Sequence, residues 1–287
     1  MLTIVVCVKL VPDVAEVRID PVHHTLMRQG VAGMLNPFDE FAVEEGIRIR
    51  ETSGGEVVAI SMGPPVAEKA LQTCLAMGVD KAYLLTDDLL AGSDTLATAF
   101  ALSKAISKLG FDLILCGHES TDSSTGHVGP ELAEHLGVPQ VTFADRIWVD
   151  EPNRRLVVRK ETENGHRTIQ CSIPAVVSVV KGINVPRSPC GLVDSSKVQY
   201  LDASFLECSS ELLGADGSPT QVVRIEACRL RRPAGVVIDS KLPAAERLRI
   251  ITSGGILAKG STPPAFDNPE KAAEAAVDFI LRCIGEE

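Results

Sequence analysis

The stretch ESTDSSTGHVGPELAEHLG, residues 119–137, holds the densest concentration of reactive side chains in this chain. Small hydroxyl residues (Thr121, Ser123, Ser124 and Thr125 among them), the carboxylate Asp122 and the glycines Gly126 and Gly129 separate an apolar run from a helical pattern. Amides at a helix start carry partial positive charge, and small side chains let an anion approach closely, so the segment suits a phosphate. Asp and Ser also cap helices routinely, and from the loop alone both readings stand. The familiar fingerprints are absent: no G-x-G-x-x-G follows a strand and there is no G-x-x-x-x-G-K-[ST]. Any nucleotide bound here would be held by other means.

Other candidates carry less. His118 and Glu119 could form an acid–base pair, although a polar pair past a strand end is more often solvated. His23-His24 has no carboxylate or cysteine cluster nearby to complete a metal site, and Arg229, Arg231 and Arg232 read as a solvated face. No nucleophile, base and orienting group can be assembled from spacing, and G-x-S-x-G is missing. The chain does not read as a self-contained catalyst. Eight cysteines (Cys7, Cys74, Cys116, Cys171, Cys190, Cys208, Cys228, Cys283) show no C-x-x-C and no zinc-like spacing. Free thiols in a reducing cytosol are expected.

The elements that must position these residues alternate in type. Leu2 to Val11, Glu56 to Met62, Lys81 to Thr86 and Phe111 to Cys116 are short apolar runs that predict strands. Between them, Asn36-Pro37 starts a helix that Gly54-Gly55 stops. Pro64-Pro65 opens a second that runs to Gly78, and Ser93 or Asp94 caps a third with Leu96, Ala99, Phe100 and Ile106 on its apolar face. Continuously apolar strands alternating with helices predict a parallel sheet covered on both faces. Ligands of such sheets sit beyond the carboxyl ends of the strands, here Cys7-Val8-Lys9, Met62-Gly63, Thr86-Asp87 and Cys116-Gly117. After Gly137, Val141 to Val149, Leu156 to Lys160 and Thr168 to Val180 predict an antiparallel meander extending the same sheet. Gly182 to about Thr220 reads as a long irregular segment that reaches outward, and Pro269 to Ile284 as a helix with one apolar stripe.

Composition narrows the function. With 28 basic and 38 acidic side chains the formal charge is −10, which repels a nucleic-acid backbone, and aromatics at 4 % supply no base-stacking surface. Hydrophobic residues at 45 % and charged residues at 23 % describe a folding chain rather than a disordered one. The run LTIVVCV lacks a basic region before it and a cleavage site after it, so it reads as a buried strand. No apolar stretch reaches the roughly 20 residues of a membrane span. A soluble, cytoplasmic protein is expected.

In order and spacing, the motifs resemble the beta (small) subunit of electron transfer flavoproteins. The resemblance rests on VCVKLVPD at 6–13, NPFDEFAVEEGIRI at 36–49, SMGPPVAEKAL and AMGVDKAYLLTD within 61–87, CGHESTDSSTGHVGPELAEHLGVPQ at 116–140 and GSPTQV at 217–222. It implies an α/β, Rossmann-like three-layer sandwich, with a mainly parallel sheet extended by antiparallel strands and a C-terminal arm and helix. The implied organisation is a nucleotide-binding core over 1–182, a partner-recognition and arm segment over 183–224, and a C-terminal extension over 225–287 that contacts the alpha subunit. It further implies a heterodimer in which the alpha subunit carries the redox FAD and this subunit holds a second adenine nucleotide: AMP as a structural ligand in some members, FAD in electron-bifurcating ones. Carried over by motif, the nucleotide site draws on Cys7, Val8 and Lys9, on Asn36, on Met62 and Gly63, and on Asp87. It also takes in Cys116 and Gly117, with Asp122, Ser123, Ser124, Thr125, Gly126, His127 and Val128 from the loop.

The loop pattern of bifurcating members is D-G-D-T-A-Q-V-G-P. Asp122, Thr125, Val128, Gly129 and Pro130 match it; Ser123, Ser124, Gly126 and His127 do not. Ser124 in place of an acidic residue removes repulsion against a second phosphate, and small residues leave room for a diphosphate. A second FAD is therefore expected over AMP. The implied partners are the alpha subunit, an acyl-CoA or other flavin dehydrogenase, and NADH in the bifurcating case, so that oxidoreductase activity belongs to the heterodimer. The segment NVPRSPCGLVDSSKV at 184–198 departs from the family's lysine-rich recognition loop: Lys197 stands alone and Leu192 is the candidate anchor. The stretch 225–266 is longer than the family pattern. The alternative class is a non-redox α/β module that binds ATP or AMP. A nucleotide-dependent ligase is disfavoured because S-G-G-x-D-S is missing.

Overall fold

The structure, a computed structural model, describes residues 1–13, 18–19, 26–27, 33–191, 197–220, 243 and 245–247. His23-His24, Leu192, the basic cluster at 229–232, the extension at 225–266 apart from residues 243 and 245–247, and the helix expected at 269–284 lie outside the described residues. The chain divides into two compact units, Met1–Glu226 and Ala227–Glu287.

The first unit is built on a nine-stranded sheet. Next to its middle strand runs β1 (Thr3–Cys7), whose alternate residues enter two separate cores. Ile4 and Val6 pack with α1 (Pro37–Ser53), while Val5 and Cys7 face the core that receives Leu132 and Ala133 further along the chain. That two-sided burial is why the strand is apolar without interruption. The strand β6 (Glu56–Met62) pairs parallel to β1, and β7 (Lys81–Leu85) parallel to β6. Pro65–Ala67 forms a single tight turn, which α2 (Glu68–Met77) continues as far as Gly78. The helix α3 (Thr95–Leu109) starts at Asp94, whose carboxylate accepts the Ala97 N–H. It buries Ala99, Leu102, Ser103 and Ile106, an i, i+3, i+4, i+7 stripe. Leu96, expected on that face, is exposed. The strand β8 (Leu113–Gly117) pairs parallel to β1 on its other side, and α4 (Val128–Leu136) follows the serine-threonine loop.

Three further sequence expectations are corrected. The run Leu2–Val11 is not one strand. After Cys7 the chain turns away, and β2 (Leu10–Pro12) pairs with β5 (Gly33–Leu35) instead. The two-residue strands β3 (Arg18–Ile19) and β4 (Leu26–Met27) pair antiparallel within the same hairpin. The meander forms as β9 (Gln140–Asp150), β10 (Arg155–Thr162) and β11 (Gly165–Ser172), but Thr168–Val180 splits at Pro174, which has no N–H to donate to a ladder. Its second half, β12 (Ala175–Val179), inserts between β8 and β9, parallel to both. The segment after Gly182 is not wholly irregular either. It crosses α1, where Asn184 bonds Glu45 and Arg187 pairs with Glu44 and Glu51. It passes α2 at Gly191, whose N–H reaches Ala76 O, and ends as β13 (Val198–Leu201) on the far edge beside β7. The result is an α/β three-layer sandwich of Rossmann-like form, with β10 and β11 as its antiparallel extension.

Candidate functional site

The break after β1 has a cause that reaches across the sheet. Asp39, in the first turn of α1, is buried, and its two carboxylate oxygens accept the N–H of Lys9 at 2.9 Å and the N–H of Gly117 at 3.2 Å. One side chain thus ties together the ends of the two central strands. A side chain at residue 117 could not coexist with it, since a Cβ there would stand 2.6 Å from Asp39 Oδ1 and 2.8 Å from the Phe38 carbonyl carbon. Burial, the dominant effect, raises the Asp39 carboxyl from 3.8 to about 7 against the opposing hydrogen bonds. Burial likewise pushes the Cys7 thiol up, and Cys116 up to about 12, so both are neutral thiols.

Asn36, expected as the helix cap, stands in the cap position but its side chain makes no capping bond. Its Nδ2 donates to Glu119 O at 2.9 Å and its Oδ1 accepts the Thr121 N–H at 3.3 Å, so it anchors the loop after β8. Lys9 closes the same loop: its Nζ lies 2.6 Å from Asp122 Oδ1, 3.3 Å from Ser120 Oγ and 3.4 Å from Ser123 Oγ. Ser124 adopts φ 49° and turns its N–H and hydroxyl onto Ser120 O. Gly129 lets α4 start against the sheet, for a Cβ there would be 2.9 Å from Cys116 Sγ. Thr121 Oγ1 is buried without a hydrogen-bond partner among the described residues.

These parts enclose a cavity of about 540 Å³ at the carboxyl ends of the parallel strands. It is lined by Cys7, Val8, Lys9, Asn36, Met62, Gly63, Cys116, Gly117, Asp122, Ser123, Thr125, Gly126, His127 and Val128, which the structure brings together from the ends of β1, β6 and β8 and the start of α1. Two anticipated residues lie elsewhere. Ser124 shapes the turn from outside, and the Asp87 carboxylate is taken up by the N–H groups of Leu89 and Ala203. Sequence reasoning missed Asp39, Ser178 and the starts of two other helices, at Pro64–Ala67 and Asp94–Thr98. The small polar run Ser93-Asp94-Thr95 after β7 was the available signal. His118 and Glu119 also line the wall. The His118 ring packs edge-on against Phe38 at 4.3 Å and its Nδ1 is 3.3 Å from Val179 O, while Nε2 stands 3.8 Å from Glu119 Oε1, beyond hydrogen-bond distance. Among the described residues the cavity offers the starts of α2, α3 and α4, several hydroxyls and one lysine. Amide dipoles and small donors of this kind suit a phosphate-bearing ligand, and the thiols on its floor are too weakly acidic to act as nucleophiles.

Comparison with known proteins supplies a family. A model described as "Electron transfer flavoprotein domain" matches residues 24–206. The chain is 44% identical over 249 residues to the electron transfer flavoprotein subunit beta of Thermoanaerobacterium thermosaccharolyticum, covering 85% of this chain and 95% of that protein. The chain belongs to the electron transfer flavoprotein family as a beta subunit. The Clostridium acetobutylicum beta subunit is 41% identical with the same coverage, and "Protein FixA" of Sinorhizobium fredii is 38% identical over 250 residues, 83% of this chain and 87% of that protein. As a beta subunit it works in electron transfer, in a family that uses flavin and nucleotide cofactors and pairs this subunit with an alpha subunit. Among the described residues no helix is long and apolar enough to cross a membrane.

Proposed function

We propose that the cavity seats a second FAD, so that with its alpha subunit the beta subunit passes electrons between an acyl-CoA or other flavin dehydrogenase and an acceptor, with NADH-dependent bifurcation as the reaction this cofactor permits. The observation that carries the reading is the convergence of three helix starts and the Lys9-tethered hydroxyl loop on one cavity. The starts at Pro64–Ala67, Asp94–Thr95 and Val128–Pro130 line the same space, and helix N-terminal ends suit phosphates. Ser123 and Ser124 add no charge beside Asp122, and the cavity continues past the loop to Pro12 and Gly33 of the hairpin. FAD would supply the redox chemistry when bound; the chain's residues supply its place and its electrostatics. Lys9, Ser123, Thr125 and the α4 amides would hold the phosphates, and Asn36 keeps the loop in register for them. Extraction of cofactors from the purified heterodimer tests this: two flavins and no AMP are expected per dimer, and one flavin with one AMP refutes it. Anaerobic addition of NADH, first alone and then with a low-potential acceptor, tests the bifurcating step.

A further inference from the structure

Asp39 is a buried carboxylate, 5% exposed, in the wall of the cavity, and among the described residues it forms no ion pair. The one lysine in the described lining, Lys9, sends its backbone N–H to Asp39 but commits its ammonium to Asp122. The groups facing Asp39 are otherwise neutral. They are the thiols of Cys7 on β1, Cys116 on β8 and Cys74 on α2, all held protonated by burial, and the Asn36 side chain. A negative ligand placed in the cavity therefore meets this carboxylate with only the Lys9 ammonium, already paired with Asp122, to offset it. In a site of low polarity the inexpensive response is for the carboxylate to take a proton.

We propose that Asp39 is a proton-coupled positioning residue of this site, taking up one proton from solvent when an anionic cofactor enters the cavity. The proposal rests on the reading of the cavity as a dinucleotide site. The bond formed is O–H on one Asp39 oxygen, and the proton comes from bulk buffer. Neutralisation removes the repulsion, while the strand ends at Lys9 and Gly117 stay tied to the same side chain. Binding linked to proton uptake weakens as pH rises, by up to tenfold for each pH unit above the range where free Asp39 titrates. Its titration lies near neutrality, where such linkage is observable.

The test is calorimetric titration of the cofactor-depleted heterodimer with FAD at about pH 8, in two buffers of different ionisation enthalpy, which reads the protons bound per ligand. FAD is the probe because its diphosphate does not titrate in this range. His118 and His127 share the cavity wall, and the Asp39→Asn variant separates them from Asp39. The expected result is an uptake approaching one proton in the unaltered heterodimer, lost in Asp39→Asn. FAD binding with no uptake, or with equal uptake in both, overturns the proposal and leaves the dinucleotide reading standing. Binding of one FAD per heterodimer, that of the alpha subunit, instead of two overturns that reading and this proposal with it. Should Asp39→Asn fail to fold, infrared difference spectra of the unaltered heterodimer with isotope-labelled aspartate decide the matter: a protonated-carboxyl band gained on FAD addition supports the proposal, and its absence refutes it.

Discussion

At the scale of single residues, Asp39 makes the pH dependence of stability predictable. Its folded value, about 7, lies above its ordinary 3.8, so the folded chain binds the proton more tightly than the unfolded one. The stabilisation from this group is complete below about pH 4, declines as pH rises through about 7 and is flat beyond. In Asp39→Asn that slope should vanish from urea unfolding curves of the heterodimer taken across this range. A constant loss of about 1–3 kcal/mol should replace it, because asparagine offers one acceptor oxygen to two amides. Gly117→Ala probes the same junction from the other side. The added methyl meets both Asp39 Oδ1 and the Phe38 backbone, so neither neighbour can yield cheaply. Destabilisation of roughly 3 kcal/mol is expected, with loss of bound nucleotide; a variant of unchanged melting temperature and full cofactor content would contradict the geometry.

At the scale of elements, the arm after β12 is held by Arg187. Its guanidinium bonds both oxygens of the buried Glu44 and reaches Glu51, and the ion pairs raise its own affinity for a proton while lowering that of Glu51. Arg187→Ala leaves the buried Glu44 with only the longer 3.6 Å pair to Arg48, so a loss of about 1–3 kcal/mol and faster proteolysis of the arm are expected, and Arg187→Lys should restore only part because it lacks the fork. Equal proteolysis rates in all three proteins would show that Asn184, Gly191 and β13 hold the arm without Arg187. This arm also marks where the sequence stops being informative. The strand EVVAISM was legible because both of its faces are buried, and Gly54 and Gly78 ended their helices where expected. VQYL was not, since a four-residue edge strand is selected by its partner β7 rather than by its own pattern. The site divides the same way. The residues at strand ends were readable from the rule for parallel sheets, whereas the function of Asp39 depends on residues 9 and 117 arriving beside it, which no local spacing encodes.

At the scale of the whole molecule, the question is whether the chain is complete without a second polypeptide. The described surface leaves several large apolar side chains in water: Trp148 is 48% exposed, Val185 85% and Phe143 46%. Phe143 also holds φ 58°, a left-handed conformation that is unfavourable by about 1–2 kcal/mol for a residue with a Cβ, with its N–H bonded to Ser178 Oγ beside the cavity. Neither feature helps an isolated subunit, and both are economical if the alpha subunit covers them. Expressed alone, the chain should therefore self-associate. Co-expressed with its alpha subunit, it should elute as a yellow complex of one copy of each. Light scattering on the eluting peaks distinguishes the cases. A monodisperse, colourless monomer that persists at high concentration would mean that these side chains are tolerated exposure rather than an interface, and that the strain at Phe143 serves the cavity wall instead.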